Sequence, residues 1–175
     1  KESNKGRVLN LAVNTFNDAS TSFFHQSIGG YSAVKLRRYQ ELYDYSLGLE
    51  MNKMKQSGSV EGINSVLGKA HTLNMLNMTD IIFNPNAPAL NNDNAYGSAW
   101  IASEVKLAQN ADEELQLTLK QNSKEVVVVS AEEKGNVTKE KYSKDSLSSI
   151  NRVSYAPNEL EYEANLENGA LVVFS

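Results

Sequence analysis

The chain has 175 residues, enough for one domain with a core of its own, and its 41% apolar and 22% charged residues are an ordinary globular balance. A net charge of −4 excludes the broad basic surface that nucleic-acid binding requires. The absence of cysteine excludes disulfides, thiol nucleophiles and cysteine-ligated metals.

In chain order, Arg7 to Val13 reads as a first strand with Val8 and Leu11 turned to the core. Asn14 to Ser22 is rich in side chains that bond their own backbone and favour turns. Phe23 and Phe24 are expected to follow as an apolar anchor. Gly29-Gly30 marks a flexible corner, and Ser32 is the expected N-cap of a helix from about Ala33 to Leu47. On that helix Leu36, Tyr39, Leu42 or Tyr43, and Leu47 share a stripe, and Gly48 is expected to weaken or end it. After a connector at Gln56 to Gly58, Ser59 caps a second helix reaching to about Asn77. There Ile63, Val66, Leu67, Ala70, Leu73 and Leu76 follow the i, i+3, i+4, i+7 pattern. A short strand at Ile81 to Phe83, stopped by Asn84-Pro85, leads into a long polar loop from Asn86 to Gly97.

Trp100 to Ala108 alternates as a strand, and Asp112 is the expected cap of a helix through about Lys120. The valines 126 to 129 predict a strand covered on both faces. Ala131 to Lys144 is charged and reads as a solvated hairpin or loop. Ile150 to Tyr155 is a strand, Ala156-Pro157-Asn158 a turn, and Leu160, Tyr162, Ala164 and Leu166 alternate with polar residues as a two-faced strand. Asn168-Gly169 is a strong hairpin signal, with Leu171 to Phe174 as the return strand. The order predicts an α/β or α+β fold: a mixed sheet, about three helices and a C-terminal antiparallel β-meander. A single soluble domain over 1–175 is expected, with an α/β part over 1–130 and a β-hairpin part over 145–175.

The two histidines, His25 and His71, lie far apart without a carboxylate-rich motif, and Asn91 to Asn94 lacks the alternating carboxylates of a calcium loop. Neither a metal nor a cofactor is expected. No nucleophile elbow and no nucleotide-binding glycine pattern occurs. Gly29, Gly30 and Tyr31 stand just before the expected helix, where free amides hold an anion and Lys35 or Arg38 assists; a purely structural corner is the alternative. Asn17, Asp18 and Ser20 add polar side chains to the same region. Aromatics beside Asn and Asp suit sugar stacking, although rings at helical spacing also serve a core. Asp18, Asp93 and Glu104 show no spacing that selects a catalytic pair.

Three blocks resemble a known family: Asn14 to His25, Ser27 to Tyr31, and Lys35 to Glu41. Leu73 to Asn77 leading into Ile81 to Phe83, Gly97 to Ile101, and Leu171 to Ser175 add to the likeness. They resemble the soluble region of YfhO-like bacterial membrane proteins of the Bacteroidetes type. The resemblance implies a polytopic, inner-membrane parent similar to GT-C glycosyltransferases, with this region on the periplasmic side. It implies that the catalytic acid lies elsewhere in the parent, so no catalytic residue is assigned here. The expected partners are the membrane, through the rest of the parent, and a glycan or lipid-linked sugar. Lys1 in place of Met and the strand-like close at Ser175 are read as cut ends. Two other readings stand beside this one: a structural or protein-interaction scaffold, and a stand-alone carbohydrate-active hydrolase.

Overall fold

The computed structural model describes residues 6–143, 147–166 and 169–175, and the chain divides between Ala95 and Tyr96 into two units with separate interiors. The expected internal boundary near residue 130 falls inside the second unit.

In the first unit β1 (Arg7–Asn10) pairs in parallel with β2 (Met78–Ile82), and β3 (Leu90–Asn91) adds antiparallel to the other edge of β2. The mixed sheet is as expected. Asn10 ends β1 by diverting the chain: its carbonyl accepts the Thr15 hydroxyl at 2.7 Å, and its side-chain oxygen accepts the Ala12 amide at 3.0 Å. Leu9 and Ile81 stand opposite each other in register, both fully buried on the face that meets the helices.

Five helices follow: α1 (Ser20–Phe24), α2 (Arg37–Leu42), α3 (Gly48–Ser57), α4 (Val60–Leu67) and α5 (His71–Met75). A π-helical turn at Tyr43–Leu47 joins α2 to α3 without a break. The first long helix therefore starts at Arg37 rather than Ala33, and it runs through Gly48 instead of ending there. Ser32 caps nothing; its hydroxyl donates to the Val34 carbonyl. Gly48 keeps helical backbone angles and donates its amide to Tyr43, closing the wide turn, and an added Cβ would stand 3.1 Å from that carbonyl. The modest helix penalty of glycine is outweighed by burial of Leu47, Met51 and Met54 on either side of it. The helix stops at Gly58, whose φ of +64° is a left-handed cap that suits glycine.

Ser59 then caps α4 as expected, its hydroxyl accepting the Gly62 amide at 3.0 Å. Ile63, Leu67, Ala70 and Leu73 are buried, as their spacing requires. The expected single helix to Asn77 is two, parted at Gly68–Ala70. The first amides of α5 are met by Glu50, whose carboxylate accepts Thr72 at 3.3 Å and Leu73 at 3.1 Å. In the loop after β3, Asn92 is buried and serves the fold: its side chain donates to Asn74 at 2.8 Å and to the Met78 carbonyl at 2.7 Å.

In the second unit β4 (Ala99–Ala102) and β5 (Glu104–Ala108) are parted at Ser103, where the amides of Ser103 and Glu104 both donate to the Glu125 carbonyl. β5 pairs in parallel with β6 (Val126–Ser130) across the helix α6 (Ala111–Lys120). Asn110, not Asp112, caps α6, accepting the Glu113 amide at 2.9 Å; Asp112 lies in the first turn, where its charge suits the helix end. β6 is half-buried along its length rather than covered on both faces. A 3-10 turn at Ala131–Asn136 opens the charged stretch. β7 (Ser149–Ala156) and β8 (Glu159–Asn165) form an antiparallel hairpin around Pro157-Asn158. The apolar side of β8 is not turned into a core: Leu160 is exposed and only Tyr162 is half-buried. β9 (Leu171–Phe174) is present and antiparallel, with β4 as its partner; Asn168 of the expected hairpin turn lies outside the described residues.

Candidate functional site

The segment between α1 and α2 is drawn against the end of β1 by backbone bonds. Ile28 donates its amide to Val8 at 3.0 Å, and Gly30 donates to the Thr15 carbonyl at 2.8 Å. This approach is so close that a Cβ at Gly29 would lie 2.0 Å from the Thr15 carbonyl oxygen, and Gly30 has a φ of +137°. Two glycines in succession are therefore a steric requirement of the corner. Their amides are engaged inside the chain, since Gly29 donates to the Ser27 hydroxyl at 3.1 Å. Helix α2 begins seven residues after Gly30, at Arg37. The arrangement of free glycine amides at a helix start, expected from the sequence, is replaced by a tight loop that shapes a cavity.

That cavity has a volume of about 360 Å³ and is lined by Gly29, Gly30, Tyr31, Lys35, Phe16 and Tyr39 among others. Its inner wall is aromatic. Phe16 lies 4.4 Å from the Tyr43 ring and 6.3 Å from the Tyr39 ring, and the Tyr39 hydroxyl donates to the Ile28 carbonyl at 2.6 Å. Burial raises the Tyr39 phenol above its ordinary range, with nearby Arg7 offsetting part of the effect. The Lys35 ammonium reaches the Phe16 carbonyl at 3.3 Å and sits 5.7 Å from the centre of that ring. The site thus offers one cation, flat apolar faces and an exposed tyrosine.

Gly29, Gly30, Tyr31 and Lys35 are brought together as the sequence suggested, whereas Asn17, Asp18, Ser20 and Arg38 do not line the cavity. Asp18 is turned to its own loop, accepting the amide of Ser20 at 2.9 Å as well as its hydroxyl, and these bonds hold its carboxyl below the usual aspartate range. Asn17 and Ser20 are exposed beside it, and Arg38 is exposed on the first turn of α2. Phe16, Ile28 and Val34 also line the cavity and are not singled out by the sequence; for Phe16, an aromatic inside an otherwise polar run is the available signal.

Two further cavities belong to the first unit. One, of about 390 Å³, lies past the carboxyl end of β1, between Leu11 to Phe16 and the helix residues Tyr43, Gly48, Met51, Asn52 and Lys55. The other, of about 640 Å³, has Val8, Asp80 and Ile82 from the outer side of the sheet, with Ser22 to Gln26 beside them. Phe23 and Phe24 stand here in the open rather than acting as an anchor, paired edge to face at 4.9 Å. They are exposed because the apolar face of β1 and β2 that closes the core is the opposite one, already filled by Leu9 and Ile81. His25 is exposed beside them.

Against known proteins, the chain matches no family model, no curated sequence and no solved structure. The geometry of these sites therefore carries the functional argument. Among the described residues no group of three or more His, Asp and Glu is placed to hold a metal ion, and no helix is long and apolar enough to cross a membrane.

Proposed function

We propose that this chain is a non-catalytic extracytoplasmic domain of a YfhO-like membrane protein, and that its Gly29–Lys35 cavity contacts a glycan acceptor or the headgroup of a lipid-linked sugar. The observation that supports the binding part is the convergence of Gly29, Gly30, Tyr31 and Lys35 on one cavity walled by Phe16 and Tyr39. A sugar offers C–H faces to such rings, and a phosphate offers charge to such a lysine. Placement in a membrane parent rests on the resemblance.

Two measurements test the two parts. The open reading frame that encodes this chain is expected to hold apolar runs of about 20 residues outside it; their absence removes the membrane parent. Titration with inorganic diphosphate and with short soluble oligosaccharides is expected to shift the amide resonances of Gly29 to Lys35. Tyr31→Ala is expected to weaken the oligosaccharide response and Lys35→Ala the diphosphate response. Unmoved resonances in both titrations remove the binding site.

A scaffold role is the second reading, favoured by the exposed Val153, Tyr155 and Leu160 of the β7–β8 hairpin and by exposed Phe174. A hydrolase needs two carboxylates converging in one pocket; across the three cavities described, Asp80 is the single carboxylate.

A further inference from the structure

The first unit carries a group of large apolar side chains that its own core does not use. Phe23 is 82% exposed, Phe24 75%, Val34 86%, Leu36 79% and Tyr31 67%. Single exposed apolar residues need no explanation, but five large ones within fourteen residues do. They belong to one neighbourhood. Ser22, beside the phenylalanine pair, also lines the cavity edged by Tyr31, Val34 and Leu36, and a Cβ at Gly30 would meet its hydroxyl at 3.4 Å.

Charge selects the occupant. From Ala19 to Gln40 there is no acidic residue, although the whole chain carries −4; the stretch holds Lys35, Arg37 and Arg38 instead. All eight residues from Tyr31 to Arg38 are exposed. Arg37 pairs with Glu41 at 2.9 Å, but its side chain remains 91% exposed, and such surface pairs are readily exchanged for another anion. Exposed aromatic and branched aliphatic side chains on a stretch whose charges are Lys35, Arg37 and Arg38 match the boundary of an anionic bilayer, where rings and alkyl groups enter the acyl edge and cations meet phosphate; the carboxylates nearby, Asp80 on the sheet and Glu41 paired with Arg37, come from outside that stretch.

We infer that the surface formed by Phe23, Phe24, Val34 and Leu36, with Lys35 and Arg37, docks on an anionic lipid surface. This goes beyond the cavity reading and does not depend on it. The attraction of each cation to such a surface is lost with salt, while the apolar insertion is not.

Flotation of the whole chain with phosphatidylglycerol vesicles and with phosphatidylcholine vesicles, at low and at high salt, tests it. The chain is expected to float with the anionic vesicles at low salt and much less with the neutral ones. Phe23→Ser with Phe24→Ser changes only exposed side chains outside the Gly29–Lys35 cavity, so the fold, followed by circular dichroism, is expected to persist. Partition is expected to fall roughly tenfold or more, because each ring withdrawn from water is worth at least that factor. Val60→Ser, on exposed surface elsewhere, is expected to leave partition unchanged. Failure to float with anionic vesicles, or undiminished flotation of the double variant, overturns the inference. So does a vesicle-free dimer that sedimentation detects and the double variant abolishes, since the occupant is then a second copy. Diphosphate or oligosaccharide binding that survives in the double variant keeps the cavity reading separate, whichever way the vesicles decide.

Discussion

The two units are held together by different means. Through Ala95, eight large side chains are fully excluded from water: Leu9, Leu47, Met54, Ile63, Leu67, Leu73, Met78 and Ile81, drawn from two strands, the π-helical turn and three helices. From Tyr96 onward the buried apolar residues among those described are Trp100, Ala102, Val105 and Ala108, all on two consecutive strands; the described sheets there are two-stranded ladders, and helix α6 buries no residue. One unit closes a core among many elements; the other relies on backbone pairing and on one large ring. A ladder with half-exposed side chains opens to solvent more readily than a closed core.

The largest expected effects test that contrast directly. In the second unit Trp100→Ala should cost about 3–5 kcal/mol, because the ring fills the interior and its indole N–H donates to the Ser123 carbonyl at 3.2 Å. Val128→Ala on the half-buried β6 should cost about 1 kcal/mol or less. In the first unit the burden is shared, so Leu73→Ala and Ile63→Ala should each cost about 2–5 kcal/mol. Urea titrations followed by far-ultraviolet circular dichroism measure all four. Equal losses at Val128 and Leu73 would break the comparison.

Glu50 sharpens it, because a half-buried carboxylate beside the core of the first unit bonds the start of a helix. Truncating it in Glu50→Ala leaves the Thr72 and Leu73 amides without their acceptor and should cost about 1–3 kcal/mol. Burial is the first cause acting on its carboxyl and raises it above the ordinary glutamate value of 4.5, although the two amides and Lys53 oppose the rise. The folded chain therefore holds this proton more firmly than the unfolded chain. The stabilisation linked to that proton is complete below the unfolded value and is lost as pH rises through the folded one. Wild type should lose stability relative to Glu50→Gln as pH increases from the acid side towards neutrality. Urea midpoints of the pair across that range check it; a constant difference would show that Glu50 titrates alike in both states.

Glu50 also marks the limit of what was legible in the sequence. It lies on the stripe of Leu47, Met51 and Met54, so helical spacing would have exposed it as a carboxylate among core residues. In the sequence that stripe is cut short at Leu47, because Gly48 is expected to weaken or end the helix. Propensity weighs one residue against its neighbours, whereas here the packing of the residues around Gly48 decides. The Ser59 cap and the buried face of α4 were legible because each is written within a few residues, and the mixed sheet because the order of strands and helices implies it. Phe23 and Phe24 misled, since apolar character says nothing about which face of a sheet is already filled. The partner of β9 is the same kind of case: a turn signal near residue 169 implies a neighbouring strand, but only the arrangement of the unit selects β4. At the cavity, the glycine pair and Lys35 were visible as residue types, while the closeness of Thr15 that requires glycine at 29 is a contact between distant backbones.

The smallest expected effects concern the two well-formed side-chain caps, and they separate local from long-range causes. Ser59 bonds the Gly62 amide at 3.0 Å at the start of α4, in the unit with the closed core. Asn110 bonds the Glu113 amide at 2.9 Å at the start of α6, in the unit built of ladders. Each supplies one acceptor to an otherwise unpaired helix amide, and both bonds are exposed. Ser59→Ala and Asn110→Ala should therefore cost nearly the same, about 1 kcal/mol each, although truncations inside the two interiors differ in how their costs are distributed. Paired urea midpoints measure this. Matching losses place the difference between the units in side-chain packing across elements; a markedly larger loss at Asn110 would place it in helix α6 itself, whose cap bond would then be holding β5 and β6 in register.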